Sequence, residues 1–119
     1  MSLEHDERPW GSYDVLHEAD DHKVKTITVQ PGKRLSYQRH QKRAEHWFVA
    51  HGTLTVTIDG EIRDVPTGGA VDFGIGVAHR AENRTDEPVT FIEVQSGTYF
   101  GEDDIERLED DYGREGTNT

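Results

Sequence analysis

Four side chains in this sequence have the types and spacing to hold a divalent cation: Gln38, His40, Glu45 and His79. Gln38 and His40 are two residues apart, so on an extended strand both point to one face and can reach a single ion. Glu45 follows after a turn, in phase with Trp47 and Val49, and offers a carboxylate from a neighbouring strand. His79, in phase with Val77 and Ala81, closes the set from a later strand. Two imidazoles, one carboxylate and one amide oxygen leave positions open for water or substrate, as a catalytic metal site requires. Taken singly each residue is ordinary, because polar side chains in strands find hydrogen-bond partners without a metal. The joint spacing carries the reading.

Composition narrows the chemistry. There is no cysteine, which excludes disulfides and thiolate ligation and leaves imidazole, carboxylate and amide oxygen. A net charge of −11 opposes nucleic acid as a partner. The surplus is uneven: residues 101–119 carry eight acids against Arg107 and Arg114, whereas residues 33–43 carry five of the thirteen Lys and Arg and no acid. A local basic cluster on an acidic protein suits a small anionic ligand, and equally a solvated loop face. No apolar run approaches the roughly 20 residues needed to span a bilayer, and the N-terminus lacks a secretory pattern, so a soluble cytoplasmic protein with no membrane partner is expected.

The elements that must position these residues are short strands. From Trp10 to Gln95 apolar and polar residues alternate in brief runs: 24–29, 46–50, 54–58, 70–73 and 89–94. Turn signals separate them at Pro31-Gly32, His51-Gly52, Asp59-Gly60, Gly68-Gly69 and Asp86-Glu87-Pro88. Strands with no intervening helical pattern predict an all-β antiparallel sandwich or barrel, and Asp59-Gly60 between two alternating runs is the best hairpin signal. Beyond Gly101, the three- and four-residue spacing of Ile105, Leu108 and Tyr112 predicts one short C-terminal helix within 101–112. One domain over residues 8–114 is expected, with residues 1–7 and 115–119 as disordered tails.

The spacing resembles the two signature motifs of the cupin superfamily. Gly32, Gln38, His40, Glu45 and Gly52 fall in the slots of G-x5-H-x-H-x(3,4)-E-x6-G, with Gln in the first His slot. Gly68, Gly74, Gly76, His79 and Asn83 fall in those of G-x5-P-x-G-x2-H-x3-N, with Gly74 in place of Pro. RPWGSY at 8–13, VKTITVQPGKRLSYQRH at 24–40, RAEHWFVAHGT at 43–53 and the segment 92–114 further resemble the C-terminal isomerase domain of type II phosphomannose isomerases, often joined to a mannose-1-phosphate guanylyltransferase domain. Gln is usual in the first ligand slot of that family. Gln41-Lys42 departs from the pattern, since the family often has further His residues there.

The resemblance implies a single cupin (jelly-roll) barrel, one divalent metal ion (zinc, manganese, cobalt, nickel or iron), and interconversion of mannose 6-phosphate and fructose 6-phosphate. Such chemistry needs a cation for the enediolate, a base for the proton and cationic side chains for the remote phosphate. Lys25 shares a strand face with Ile27 and Val29 and is the first phosphate candidate; Arg34 and Arg43 are placed to line the mouth; Glu93, with Gln95 beside it, is the candidate base. Arg80 and His46 alternate to the opposite faces. Leu35, Tyr37 and Phe48, pointing away from the ligand face, would leave apolar surface for a homodimer, unless the segment around Trp10 and the C-terminal helix cover it. Two other functions fit the same barrel: a non-catalytic, metal-containing module binding a sugar or sugar nucleotide, and an iron-dependent dioxygenase.

Overall fold

The computed structural model describes residues 3–113, which form eleven strands in two antiparallel sheets and no helix. The strands are β1 Glu4–Arg8, β2 Gly11–Glu18, β3 His22–Val29, β4 Tyr37–Arg39, β5 Arg43–His51, β6 Leu54–Ile58, β7 Glu61–Val65, β8 Ala70–Phe73, β9 His79–Glu82, β10 Val89–Gly97 and β11 Glu106–Glu109. One sheet has the order β1-β2-β3-β10-β5-β8, the other β11-β4-β9-β6-β7. All five expected runs lie within strands, because each alternates apolar and polar residues with the period of the pleat. Asp59 (φ 49°) and Gly60 (φ 81°) form the predicted hairpin turn between β6 and β7, both central residues taking the left-handed conformation. No helix among the described residues is long and apolar enough to cross a membrane.

The inner faces of the two sheets make a core whose largest members are aromatic. Trp47 meets Phe73 edge-on and Phe91 at a tilt, both with centroids 4.9 Å apart. Such pairs add about 0.5–1.5 kcal/mol each beyond the area they bury. The same inner faces of β3, β5 and β10 also carry buried Lys25, Glu45, Glu93 and Gln95, so one half of the barrel interior is apolar and the other polar.

Three expectations need correction. The C-terminal segment forms β11, not a helix, and pairs with β4 through Glu106↔Arg39 and Arg107↔Gln38. Its buried positions are Asp104, Arg107 and Asp110, while Leu108 at a register shift is exposed; the segment closes the free edge of β4 by backbone pairing and charge rather than by an apolar stripe. Residues Glu4–Glu7, expected in the disordered start, belong to β1 and pair with β2. Residues 115–119 lie outside the described residues. Leu35, expected to face outward, is buried: between Arg34↔Glu82 and Gln38↔His79 the register slips by one residue, which reverses the facing of everything before the slip.

Candidate metal centre

His40, Glu45 and His79 converge, all three buried, with one candidate ligand atom from each within 4.8 Å of the others. Glu45 comes from β5, where it pairs with Gln95 of β10 and Phe73 of β8; His79 comes from β9 in the opposite sheet, and His40 directly follows β4. His40 Nε2 lies 3.2 Å from Glu45 Oε2 and His79 Nε2 3.6 Å from Glu45 Oε1. Ligand atoms around a tetrahedral ion with bonds of about 2.1 Å are roughly 3.4 Å apart, so these separations suit a shared ion. Gln38 is buried, pairs with His79 across β4 and β9, and lines the cavity above the cluster.

Backbone carbonyls set the imidazoles. The Asp104 carbonyl accepts from His40 Nδ1 at 2.6 Å and the Val77 carbonyl from His79 Nδ1 at 3.0 Å. A carbonyl can only accept, so both protons sit on Nδ1 and Nε2 is turned to the carboxylate. His79 Nε2 is buried with no hydrogen-bond partner, and burial pushes the ring's pKa down to about 4, more than the Glu45 charge restores. A neutral Nε2 lone pair facing a carboxylate is unfavourable unless a cation lies between them. The donor set therefore fits a divalent metal of the hard or borderline class.

A second buried carboxylate lies behind the first. Trp47 Nε1 donates to Glu45 Oε1 and Glu93 Oε1, both at 3.1 Å, and Gln95 Nε2 donates to Glu45 Oε2 and Glu93 Oε2, both at 3.2 Å. These two bridges hold the carboxylates as a pair whose members titrate apart. Burial alone would raise Glu45, but His40 and then His79 beside it hold it well below the usual carboxylate range. Burial and then the Glu45 charge drive Glu93 well above that range, with Lys25 opposing.

Above this floor opens a cavity lined by Tyr13, Lys25, Ile27, Gln38 and Arg43. Lys25, on β3 opposite Glu93, is 4% exposed; its Nζ donates to Glu102 Oε2 at 2.7 Å and sits 4.5 Å above the Tyr13 ring. Burial pulls the ammonium down, but Glu93 and Glu102 outweigh it and leave its pKa raised. Arg43 is 3% exposed, with Nη1 donating to the Gly101 carbonyl at 2.9 Å and Nε 3.6 Å from Glu45 Oε2.

The structure thus gathers Lys25, Gln38, His40, Arg43, Glu45, Glu93 and Gln95 around one cavity, with His79 at its floor. Arg34 does not join them. It pairs with Asp111 through two hydrogen bonds of 2.7 and 2.8 Å on another face, because the register slip after it reverses its direction. Arg80 also stays outside, bonding the Leu35 carbonyl and Glu109, and His46 faces solvent beside Asp72. Sequence reading missed Arg8, Glu102 and Asp104. Arg8 lines the cavity from β1 and Glu102 from the acidic C-terminal segment; pairing with the basic stretch 33–43 was the available signal for Asp104, whose carboxylate accepts the backbone N–H groups of Gln41 and Lys42 at 3.0 Å each.

Residues 3–110 match the protein family described as Mannose-6-phosphate isomerase C-terminal. The chain belongs to that family. It is 51% identical over 107 residues to the alginate biosynthesis protein AlgA of Pseudomonas aeruginosa and 48% identical over 107 residues to a mannose-1-phosphate guanylyltransferase of Escherichia coli K12. Each match covers 90% of this chain but only 22% of the relative, so the chain corresponds to less than a quarter of those proteins. Its fold is shared with the cupin domain of Schizosaccharomyces pombe Cnp3, at a TM-score of 0.69 and 11% identity, over 72% of this chain and 64% of that one.

These relatives correct the expected activity. Proteins half identical to this chain are named for guanylyl transfer and alginate biosynthesis, not for interconversion of mannose 6-phosphate and fructose 6-phosphate. The isomerase word in the family's description labels a domain and does not carry the reaction to this chain.

Proposed function

We propose that this chain is a metal-containing cupin module that binds a sugar phosphate or sugar nucleotide without turning it over. The observation that carries the reading is the neutral, partnerless Nε2 of His79 facing the Glu45 carboxylate at the floor of a cavity whose wall holds buried Lys25 and Arg43. A divalent ion held by His40, Glu45 and His79, with Gln38 beside it, would polarise a ligand oxygen. Lys25 and Arg43 supply the charge for a phosphate, and Trp10, Ile27 and Leu35 give an apolar wall for the carbon face of a sugar. One relative is itself named for a sugar phosphate, mannose 1-phosphate, which supports that ligand class.

The test begins with protein purified without chelator and analysed for metal, where about one ion per chain is expected. Calorimetric titration of the zinc-loaded protein with mannose 1-phosphate, mannose 6-phosphate and mannose should show binding of the phosphates and little of the free sugar. Incubation with mannose 6-phosphate should leave it unchanged. Steady conversion of the sugar by the loaded protein, or equal affinity for mannose and its phosphates, would overturn the proposal.

A further inference from the structure

Of the three buried cations that line the cavity, Lys25, Arg43 and Arg107, the first two are occupied by neighbouring groups of one short segment. Glu102 takes the hydrogen bond of Lys25, and the carbonyl of Gly101 takes that of Arg43 Nη1. Arg43 Nε, also buried, makes no hydrogen bond and is ion-paired with Glu45 Oε2 at 3.6 Å. Lys25 cannot reach bulk water, whereas the Glu102 side chain is 46% exposed. The anion on this ammonium is therefore held at the cavity mouth, where exchange with a ligand does not require opening the core.

The segment that carries Glu102 is fixed on both sides of it. Thr98 N–H bonds the Lys42 carbonyl at 3.1 Å. Asp104 holds the backbone of Gln41 and Lys42 through its carboxylate and His40 through its carbonyl. Between these anchors a turn is closed by Asp104 N–H on the Gly101 carbonyl at 3.1 Å. Rotation of the Glu102 side chain alone can free Lys25 while every one of these bonds remains. Glu93 stands across from Lys25 and keeps a carboxyl group near the ammonium, but the hydrogen bond from Nζ goes to Glu102, so what replaces Glu102 must supply a strong acceptor, which a negative group does best.

Resting on the reading of the cavity as a sugar-phosphate site, the geometry points to Glu102 as a resident anion: it fills the phosphate subsite at Lys25, and the ligand's phosphate binds by displacing it. A phosphate monoester has three acceptor oxygens and can serve Lys25 and Arg43 together, whereas a carboxylate serves one of them well. The displaced Glu102 then faces solvent, where its charge is hydrated. The exchange sets selectivity: neutral sugars cannot replace Glu102, sugar carboxylates replace it without gain, and phosphate monoesters replace it with gain.

Inorganic phosphate titrated by calorimetry into metal-free wild type and Glu102→Gln tests this without relying on the metal. Removing one competing charged hydrogen bond should tighten phosphate binding about tenfold. Acetate should gain no more than phosphate does, and Lys25→Gln added to Glu102→Gln should abolish the gain. Glu102→Asp, whose shorter side chain retracts the carboxylate, should fall between wild type and Glu102→Gln. Unchanged phosphate affinity in Glu102→Gln overturns the inference, and weakened affinity makes Glu102 a ligand contact instead of a competitor, which also overturns it. Should the Lys25→Gln double variant fail to fold, the order wild type, Glu102→Asp, Glu102→Gln decides alone. Failure of the broader reading shows elsewhere, as absence of mannose 1-phosphate binding to the zinc-loaded protein.

Discussion

The floor and the rim of the cavity are built from different materials. On the floor, His40 and His79 are aimed by backbone carbonyls, and Glu45 is gripped by Trp47 two residues along its own strand and by Gln95 of the paired strand β10. At the rim, Lys25 gives its hydrogen bond to one half-exposed side chain from a turn. Groups fixed by backbone and core side chains hold a constant partner in constant geometry; a group satisfied by a solvent-facing carboxylate can change partners. The contrast separates what the site keeps from what it exchanges.

Breaking the floor should have the largest effect. His79→Ala or His40→Ala removes one of three ligands, and metal content measured after dialysis should fall from about one ion per chain to near zero. Retention of a full equivalent by both variants would place the metal elsewhere. Trp47→Phe keeps the ring in the core but deletes the N–H shared by Glu45 and Glu93. Loss of such an orienting partner should weaken zinc affinity about 10–100-fold in a competition assay with a chromophoric chelator.

Asp104→Ala sharpens the comparison because this residue serves both parts: its carboxylate pins the turn, while its carbonyl orients His40. The carbonyl survives the substitution, so zinc affinity should change by less than in Trp47→Phe, and amide hydrogen exchange of residues 99–105 should speed up about tenfold or more. A zinc loss equal to that of Trp47→Phe would mean that floor and rim are not separable.

The smallest effect is expected from the rim pair and depends on pH. Burial would raise the Glu102 carboxyl, but Lys25 more than compensates and lowers it. A carboxylate lowered in the folded state contributes stability that is present above its unfolded pKa, about 4.5, and lost as pH falls through the folded value. Wild type should therefore exceed Glu102→Gln in urea-denaturation stability by no more than about 1 kcal/mol at pH 7, with the advantage vanishing on acidification below pH 4.5. An advantage that grows toward low pH would have the wrong sign.

Much of this was legible in the sequence, for definite physical reasons. Where one strand face is buried, its period of two is strict, so Glu45, His79, Lys25, Glu93 and Gln95 could be assigned to the interior from their phase with Trp47 and Val49, Val77 and Ala81, Ile27 and Val29, and Phe91, and His40 was read with Gln38 from their two-residue spacing. The same logic failed at Arg34, since phase cannot be carried across the one-residue slip between it and Gln38. It failed again at 101–112, where the spacing of Ile105, Leu108 and Tyr112 imitates a helix while the docking is done by Asp104, Arg107 and Asp110. Burial of charge against charge leaves no hydrophobic pattern to read. Glu102 was hidden for the same reason, one acid among eight in a segment that reads as solvated surface.

The central claim, that the floor is a fixed metal centre serving ligand binding, is tested most directly by titrating mannose 1-phosphate into the same protein preparation twice, once zinc-loaded and once stripped of metal. The stripped protein should keep its fold and the weak phosphate contact of the rim but lose about tenfold or more in affinity for the sugar phosphate, with zinc restoring it. Equal affinity in the two states would contradict the claim.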